Sequence, residues 1–212
     1  MKNQSNSIRY QNQNSHTSGN NGGFVVTDIV KKPIIYIYPI EKMDVEVKLG
    51  NPQYLSCTYP KYKNGWSVTA DVDGTLVDKN TEKNLYALYW EGKEVPKNIN
   101  LKEGFCVKGK DTATFLEEKL SLLGLSDKEA EEFIIYWLPK MEENNYNYIR
   151  FETKEEQDKS MPLEITPKPD NLIRVMMDWK GLDEKIEVQE QNLETPIREG
   201  YTVVEWGGTE IK

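Results

Sequence analysis

The chain has 212 residues, a formal net charge of -8 and a pI of about 4.9. This acidic balance disfavours non-specific nucleic-acid binding, which needs a basic surface. No segment approaches the ~20 consecutive apolar residues of a membrane-spanning helix, and the N-terminus has no apolar signal core. We therefore expect a cytoplasmic protein with no nucleic-acid or membrane partner, or a virion protein if the source is a virus.

Residues 1–23 are rich in Asn, Gln, Ser and Gly and contain few apolar side chains. Such a segment cannot bury enough surface to fold, so we predict a disordered tail followed by a single domain over 24–212. The only histidine, His16, lies in this tail. Because the rest of the chain has no imidazole, it lacks the usual base for a Ser or Cys nucleophile, and we expect no cofactor and no metal site. Cys57 and Cys106 lie on different predicted strands and are expected to be separate buried thiols.

Short segments rich in β-branched and aromatic residues alternate with turn signals before the helical region. They predict strands at 33–39, 45–49, 54–59, 66–70, 75–77, 85–90 and 104–108, with 24–30 as a first strand or a lead-in. The segment 33–39 is a β-branched and aromatic run bracketed by prolines, which indicates a buried strand.

The segment 111–139 has the apolar spacing of a helical hairpin. Asp111 stands where an N-cap belongs, and Gly124 supplies a left-handed stop to the first helix. Ser126 and Glu129 form the pattern of a capping box that begins a second helix. Pro139 is expected to end that helix or to start another one. The apolar stripe of the hairpin must pack on another layer, which we expect to be a sheet.

Further strands are predicted after the helices, at 148–152, 163–166, 172–179, 186–188 and 201–206, with a charged helical turn at 154–159. Short strands on both sides of one helical hairpin predict an α+β fold, with mainly antiparallel strands packed around the hairpin at about 111–139. Two β subdomains around the hairpin are the alternative to a single domain.

The segment 71–78 resembles the DxDGT signature of haloacid-dehalogenase-type phosphatases. In that family the first aspartate, here Asp71, is a nucleophile, the second, here Asp73, is a general acid, and the site holds magnesium. The neighbouring sequence argues against this role, because 66–70 alternates like a half-exposed antiparallel strand and no helical pattern follows the motif. A hairpin turn at Asp73-Gly74 explains the same residues, and we prefer that interpretation.

Five segments carry a wider resemblance: KPIIYIYP at 32–39, YWEG at 89–92, GFCV at 104–107, FIIYWLP at 133–139 and VEWGG at 204–208. Through them the chain from about residue 32 to 212 resembles a family of uncharacterised, mostly bacterial proteins. Such proteins usually carry Pro-Asp-Gly at the hairpin, so the resemblance gives Asp71 no role as a nucleophile. It implies no activity that can be named, and it directs attention to the residues inside these segments.

Glu91 and Glu205 each neighbour a tryptophan in an aromatic strand. Two carboxylates beside an indole could act as a catalytic pair in sugar hydrolysis if they share one cleft and lie ~5–10 Å apart. Arg174 and Asp178 are predicted to share one face of a third strand. The interpretation that we favour is that Glu91, Glu205 and Arg174 form a buried ion-pair network between strands, or lie on the solvated face.

The chain contains 5 tryptophans and 12 tyrosines. Aromatic rings on a sheet face can stack on sugars or on side chains of a partner protein. We expect most tryptophans in the core, Trp137 among them, and Trp66 exposed near the hairpin. The leading hypothesis is a non-enzymatic binding or structural module that holds a protein or carbohydrate partner on an aromatic sheet face. Its candidate binding residues are Trp66, Trp90, Arg174 and Trp206. A hydrolase with Glu91 and Glu205 as catalytic residues is the second hypothesis, and the magnesium phosphatase is the third.

Overall fold

A computed structural model describes residues 24–99 and 101–211. The predicted disordered tail and His16 lie outside the described residues. The strands before the helices are β1 (Phe24–Tyr38), β2 (Met43–Leu49), β3 (Leu55–Tyr59), β4 (Trp66–Ala70), β5 (Leu76–Asp78), β6 (Asn84–Leu85), β7 (Leu88–Ile99) and β8 (Glu103–Lys108). The helices α1 (Thr112–Leu122) and α2 (Asp127–Met141) follow. After them come β9 (Tyr146–Phe151), α3 (Lys154–Ser160), β10 (Leu163–Thr166), β11 (Asn171–Leu182), β12 (Gln189–Glu190) and β13 (Thr202–Glu210).

The strands form two sheets, which confirms the predicted α+β class. The larger sheet has the order β12-β8-β9-β11-β13-β1-β7-β3, and the smaller one has the order β10-β2-β4-β5-β6. Most neighbouring strands are antiparallel, as predicted. The pairs β11–β13 and β12–β8 are parallel, so the larger sheet is mixed.

The larger sheet lies between two apolar cores, one against the helices and one against the smaller sheet. Along β1, Ile34 and Tyr36 enter the core beneath the helices, whereas Ile35 and Ile37 enter the core shared with the smaller sheet. Successive residues of a strand point to opposite faces. The apolar run at 33–39 is therefore explained by a strand that is buried on both faces, as the sequence predicted for this segment.

The expectation of a single domain stays a prediction.

The helical hairpin confirms most of the predicted boundaries. Ser126 and Glu129 form the expected capping box, and Gly124 has a φ of +85° at the end of α1. One expectation was only partly confirmed and one was wrong. Asp111 is the N-cap residue of α1, but its side chain makes no capping hydrogen bond. The helix α2 does not end before Pro139 but passes through it to Met141. Proline removes only its own amide, and the amide of Glu142 still donates to the carbonyl of Leu138 at 3.0 Å.

Three smaller expectations also differ from the structure. The segment 186–188 is not a strand, although the two-residue strand β12 follows it directly. The predicted strand 85–90 is divided between β6 and β7. Cys57 is exposed on β3, which is an edge strand of the larger sheet, and both cysteines are free thiols. None of the helices among the described residues is long and apolar enough to cross a membrane.

Candidate functional site

The three tryptophans that were predicted to bind a partner are all buried. The exposed fractions are 2% for Trp66, 1% for Trp90 and 0% for Trp206. The expectation that Trp66 is exposed was wrong, because β4 turns this side chain toward the larger sheet. There its indole donates to the carbonyl of Pro60 at 2.8 Å and packs edge-on against Tyr62. These rings therefore stabilise the cores and are inaccessible to a partner.

Arg174 and Glu205 form the buried ion pair that the sequence suggested for them. They are register partners on β11 and β13, and the guanidinium Nε donates to Glu205 Oε2 at 2.7 Å. The other carboxylate oxygen accepts from the indole of Trp90 at 2.8 Å. Arg174 also donates to the carbonyl of Met161 at 2.9 Å. Glu205 is fully buried, and both of its carboxylate oxygens accept hydrogen bonds. The pair therefore stabilises the contact between the larger sheet and the segment at Met161 that covers this face.

Glu91 lies on the opposite face of the same sheet. Ile34 pairs with both Tyr89 and Trp206, so these side chains share one face. Glu91, two residues after Tyr89, shares that face as well, whereas Glu205, which adjoins Trp206, points to the other side. The structure therefore does not bring Glu91 and Glu205 into one cleft, as a two-carboxylate glycosidase requires.

The aspartates of the phosphatase-like motif form a β-turn. The amide of Asp71 donates to the carbonyl of Thr75 at 2.9 Å, and the Asp73 carboxylate accepts from the amide of Thr75 at 2.8 Å. Gly74 has a φ of +84°, which a glycine adopts without strain. The turn joins the antiparallel strands β4 and β5. This confirms the predicted hairpin and differs from the parallel strand end that positions a phosphatase nucleophile.

A group of exposed and half-buried aromatic residues lies instead where α2 meets the strands β1 and β7, whereas Tyr59, which is 55% exposed, lies on the edge strand β3. We call this the tyrosine surface and define it by Tyr86, Tyr89, Ile135 and Tyr136, with the flanking charges of Lys31, Lys32, Glu91, Lys128, Glu132 and Lys140. Tyr86 is 56% exposed and Ile135 is 66% exposed. Tyr89 and Tyr136 are half-buried and close enough to influence each other electrostatically.

Lysine side chains cover the aromatic rings of this surface. The ammonium of Lys128 lies 5.3 Å from the ring centre of Tyr86. Those of Lys32 and Lys140 lie 4.9 Å and 3.7 Å from the ring centre of Tyr136. These are cation–π distances, at which the negative ring face attracts an ammonium. Burial, followed by the nearby charge of Lys32, lowers the pKa of Lys140.

A β-bulge presents the lysines of β1 at this surface. The register of β1 against β13 shifts between Lys31 and Ile34, and Lys32 has a φ of +54°. A lysine rarely adopts this left-handed conformation, and such strained residues are often found at functional sites. Lys31 forms an ion pair of 3.2 Å with Glu91. Burial, then a hydrogen bond to Glu91, raises the pKa of the Tyr89 hydroxyl.

Four of the five segments that carried the family resemblance meet at this bulge. Ile34 of the first segment pairs with Tyr89 of the second and with Trp206 of the last. Lys32 lies over the rings of Tyr136 and Trp206. A Cβ atom on Gly208 would lie 2.8 Å from the Trp137 ring, so the close packing of α2 on β13 requires a glycine there. The segment at 104–107 lies apart from these on β8.

A second group of charges is buried on the face of the larger sheet that is turned away from α2. We call it the charge network and define it by Lys97, Arg150, Glu152, Glu156 and Asp178. Lys97 pairs with both Glu152 and Asp178, and Arg150 donates to Asp178 at 3.0 Å and to Glu156 at 2.7 Å. Lys97 also donates to the Thr209 hydroxyl at 2.7 Å.

The charge network contains more carboxylates than cations, so one carboxyl group is favoured to keep its proton. Burial raises the pKa of Glu152 to about 7, even though Lys97 opposes this shift. Burial alone would lower the pKa of Lys97, but the two carboxylates outweigh it and raise the pKa instead. The side chains of Lys97, Glu152 and Asp178 are at most 4% exposed. The network therefore connects β7, β11 and α3 with β9 and the residue that follows it.

Sequence reasoning missed the tyrosine surface and most of the charge network. Only Glu91 and Asp178 were singled out individually beforehand, although Lys32, Tyr89 and Tyr136 lie inside the segments of the family resemblance. The spacing of Lys128, Glu132, Tyr136 and Lys140 along one stripe of α2 was a signal that could have located the surface. No comparable signal existed for Lys97, whose partners depend on which strands are neighbours.

No protein-family model, curated protein sequence or solved structure matches this chain. The family resemblance therefore stays a prediction.

Within 24–99 and 101–211, no three His, Cys, Asp or Glu side chains are grouped so that they could hold a metal ion.

Proposed function

We propose that this protein is a binding module that holds an acidic segment of a partner protein on the tyrosine surface. The observation on which this proposal depends is the placement of lysine ammonium groups over the rings of Tyr86 and Tyr136. The surface thus presents apolar and aromatic area together with positive charge.

The local charge of the tyrosine surface differs from that of the whole chain. Lys31, Lys32, Lys128 and Lys140 are accompanied by two carboxylates, Glu91 and Glu132, whereas the complete sequence has a net charge of -8. An ammonium that lies on an aromatic ring keeps N–H groups that can donate to a carboxylate. Opposite charges across an interface favour the correct partner and its orientation. Aspartate or glutamate side chains are therefore the groups that this surface fits.

The geometry favours a protein partner over a carbohydrate. Sugars stack on an open aromatic face, and here lysines lie over the rings of both Tyr86 and Tyr136. Tyrosine is also enriched among the residues that contribute most to protein–protein binding. Ile135, which is 66% exposed on α2 next to Tyr136, adds an apolar contact. A carbohydrate partner is the alternative that the experiment must separate.

The length of the surface suits a short extended segment. Lys128 and Lys140 are twelve residues apart on α2, which corresponds to about 18 Å along the helix axis. An extended peptide rises ~3.3 Å per residue, so about five or six residues would span this distance.

The expected location, cytoplasmic or within a virion, stays a prediction.

Selection from a displayed library of random peptides tests the proposal. We expect the wild-type protein to enrich peptides that contain several Asp or Glu residues near an apolar residue. The double variant Lys32→Glu and Lys140→Glu should bind the enriched peptides at least ~10-fold more weakly, because two attractive contacts become repulsive. The double variant Lys48→Glu and Lys83→Glu is the matched control, since it changes the net charge equally at two exposed positions, one on β2 and one in the turn before β6.

Two results would contradict the proposal. One is enrichment of neutral or basic peptides, or equal binding by both double variants. The other is binding to a glycan array that Tyr136→Ala abolishes, which would assign the surface to a carbohydrate. Thermal unfolding of each variant shows whether a loss of binding reflects a loss of fold.

A further inference from the structure

The strand β3 ends the larger sheet, and its outer edge has no strand beside it in the part of the chain that the structure describes. Edge strands are usually protected by short length, by charged side chains or by proline, because their free amide and carbonyl groups can pair with another chain. Of the other strands that end a sheet, β12 and β6 have two residues each, and β10 carries the charged Glu164. β3 has five residues and no charge, so it lacks these protections.

A groove of about 220 Å³ lies beside this edge. It is lined by four consecutive residues of β3, 55–58, together with Pro52 before the strand and the segment 61–63 after it. No residue of β7, which pairs with β3 on the other side, lines it. The groove is therefore on the free side of the strand, toward which alternate residues of an antiparallel edge strand direct their N–H and C=O groups. Within the described residues, 56–59 form no backbone–backbone hydrogen bond outside the ladder with β7.

The charged side chains that line the groove are both lysines, although the whole chain has a net charge of -8. Lys61 and Lys63 are exposed, and neither has an ion-pair partner among the residues that the structure describes. Glu91, the register partner of Cys57 on β7, does not line the groove and pairs with Lys31 at 3.2 Å. The groove thus offers positive charge without a competing carboxylate in its wall.

Tyr62 fixes the segment that carries these two lysines. Its amide donates to the hydroxyl of Thr58 at 2.9 Å, and its ring packs edge-on against Trp66 at 4.8 Å between ring centres. The backbone on both sides of Tyr62 is therefore held next to β3, and the ammonium groups of Lys61 and Lys63 stay within reach of a chain that occupies the groove.

We propose that a short extended segment of a partner protein, carrying Asp or Glu residues, adds to the outer edge of β3 as a further strand. Its backbone pairs with the free amide and carbonyl groups of β3, and its carboxylates pair with Lys61 and Lys63. A register shift between Leu55 and Cys57 interrupts the start of this edge, so the regular part is short and suits a short segment. None of the groove residues belongs to the tyrosine surface, so this site is independent of the one proposed above.

Fluorescence anisotropy of labelled pentapeptides with the full-length protein tests this site. The probe is Val-Glu-Val-Glu-Val-amide with fluorescein at its N-terminus, and the comparison peptide has Lys in place of Glu. We expect the Glu peptide to bind with a Kd below about 1 mM and the Lys peptide to bind at least ~10-fold more weakly, because it places cations beside Lys61 and Lys63. Absence of binding by the Glu peptide, or equal binding by the two peptides, overturns the proposal.

Two N-methylated forms of the Glu peptide distinguish strand addition from binding by charge alone. One form carries methyl groups on the valine amides and the other on the glutamate amides. Only one of these two sets faces β3 in an added strand, because the N–H groups of successive residues point to opposite sides. One form should therefore bind at least ~10-fold more weakly than the other. Equal binding by both forms would show that the backbone does not pair with β3.

Charge-reversal variants locate the peptide on the protein. Lys61→Glu combined with Lys63→Glu should weaken binding of the Glu peptide at least ~10-fold, because attraction becomes repulsion. Lys159→Glu combined with Lys168→Glu is the matched control, since it changes the net charge equally at exposed positions on α3 and between β10 and β11. Equal losses in the two double variants would contradict the site. Thermal unfolding of each variant shows whether it is folded.

Two further measurements separate this site from the tyrosine surface. The variant Lys32→Glu with Lys140→Glu should bind the Glu peptide as the wild type does, whatever the outcome of the peptide selection described above. A loss in that variant alone would place the peptide on the tyrosine surface and overturn the present proposal. Hydrogen exchange of the wild type should slow within 55–59 when the Glu peptide is bound, since an added strand protects the free amides of β3. Unchanged exchange in this segment would contradict strand addition.

Discussion

Lys97 and Asp178 form a buried ion pair although 81 residues separate them in the sequence. Lys97 lies in the second half of β7 and Asp178 lies on β11, and β13 and β1 stand between these strands in the sheet. The second half of β7 therefore crosses the face of the sheet that bears Asp178. The pair joins this crossing segment to the part of the sheet formed by β9 and β11.

Replacing Lys97 by methionine should destabilise the fold strongly. The change leaves Glu152 and Asp178 buried without their shared cation, and breaking a buried ion pair in this way costs about 3–5 kcal/mol. Urea unfolding measures the difference. Lys159→Met is the control, because Lys159 is exposed on α3 and a surface change of this kind usually stays within about 0.5 kcal/mol. A loss below about 1 kcal/mol for Lys97→Met would show that the charge network contributes little to stability.

The raised pKa of Glu152 predicts a specific pH dependence. The pKa rises from an ordinary value of 4.5 to about 7 on folding. The folded state therefore binds a proton more tightly than the unfolded state between these values, and stability falls as pH rises from about 4.5 to about 7. The groups that face this carboxyl are Lys97, Asp178 and Arg150. The expected loss is on the order of 3 kcal/mol at most.

Glu152→Gln isolates this effect, because glutamine keeps the shape of a protonated carboxyl and does not titrate. The variant should be at least as stable as the wild type at pH 8, and the difference between the two proteins should shrink as pH falls toward 4.5. Urea unfolding at a series of pH values gives both curves. Parallel curves would mean that Glu152 titrates normally in the folded protein.

The Arg174–Glu205 pair should behave as a coupled unit. Glu205→Gln can still accept from Trp90, but it leaves the Arg174 guanidinium, whose side chain is 4% exposed, with only the more distant carboxylate of Asp158, at 3.5 Å. We expect a loss of about 3–5 kcal/mol. Adding Arg174→Met should cost less than the sum of the single losses, by about 0.5–3 kcal/mol, in a double-mutant cycle followed by urea unfolding. Strict additivity would show that the two side chains act independently.

The two predicted helix caps should differ in their contribution to stability. The Ser126 side chain accepts from the amide of Glu129 and completes a capping box, whereas the Asp111 side chain makes no capping hydrogen bond. Ser126→Ala should therefore cost about 1 kcal/mol. Asp111→Ala, the same kind of change at the start of α1, should stay within about 0.5 kcal/mol. Thermal unfolding that gave equal losses would contradict this difference.

Local sequence signals predicted the elements well because they depend on neighbouring residues. The capping box at Ser126, the left-handed Gly124 and the hairpin at Gly74 each follow from a few adjacent side chains, and all three are present. The partial failures at Asp111 and Pro139 concern helix ends, where weak local preferences compete with packing.

The accessibility of the candidate site residues could not be predicted in the same way. The alternation in β4 predicted one buried face, but it did not show that this face turns Trp66 toward a second sheet. The sequences around Glu91 and Glu205 look alike, yet the pairing of Ile34 with Tyr89 and Trp206 puts the two carboxylates on opposite faces. Register between distant strands decides such questions, and the residues that set it lie far apart in the chain.

The neighbour of β1 on one side is β13, so the first and last strands of the described chain lie side by side in the middle of the larger sheet. A growing polypeptide leaves the ribosome from its N-terminus, and β1 must then wait for almost the whole described chain before this partner exists. Contacts between residues so distant in sequence form slowly, because a long loop must close first. During synthesis, one edge of β1 therefore remains unpaired until β13 has emerged, which makes this strand a candidate for chaperone binding or for misassembly with other nascent chains.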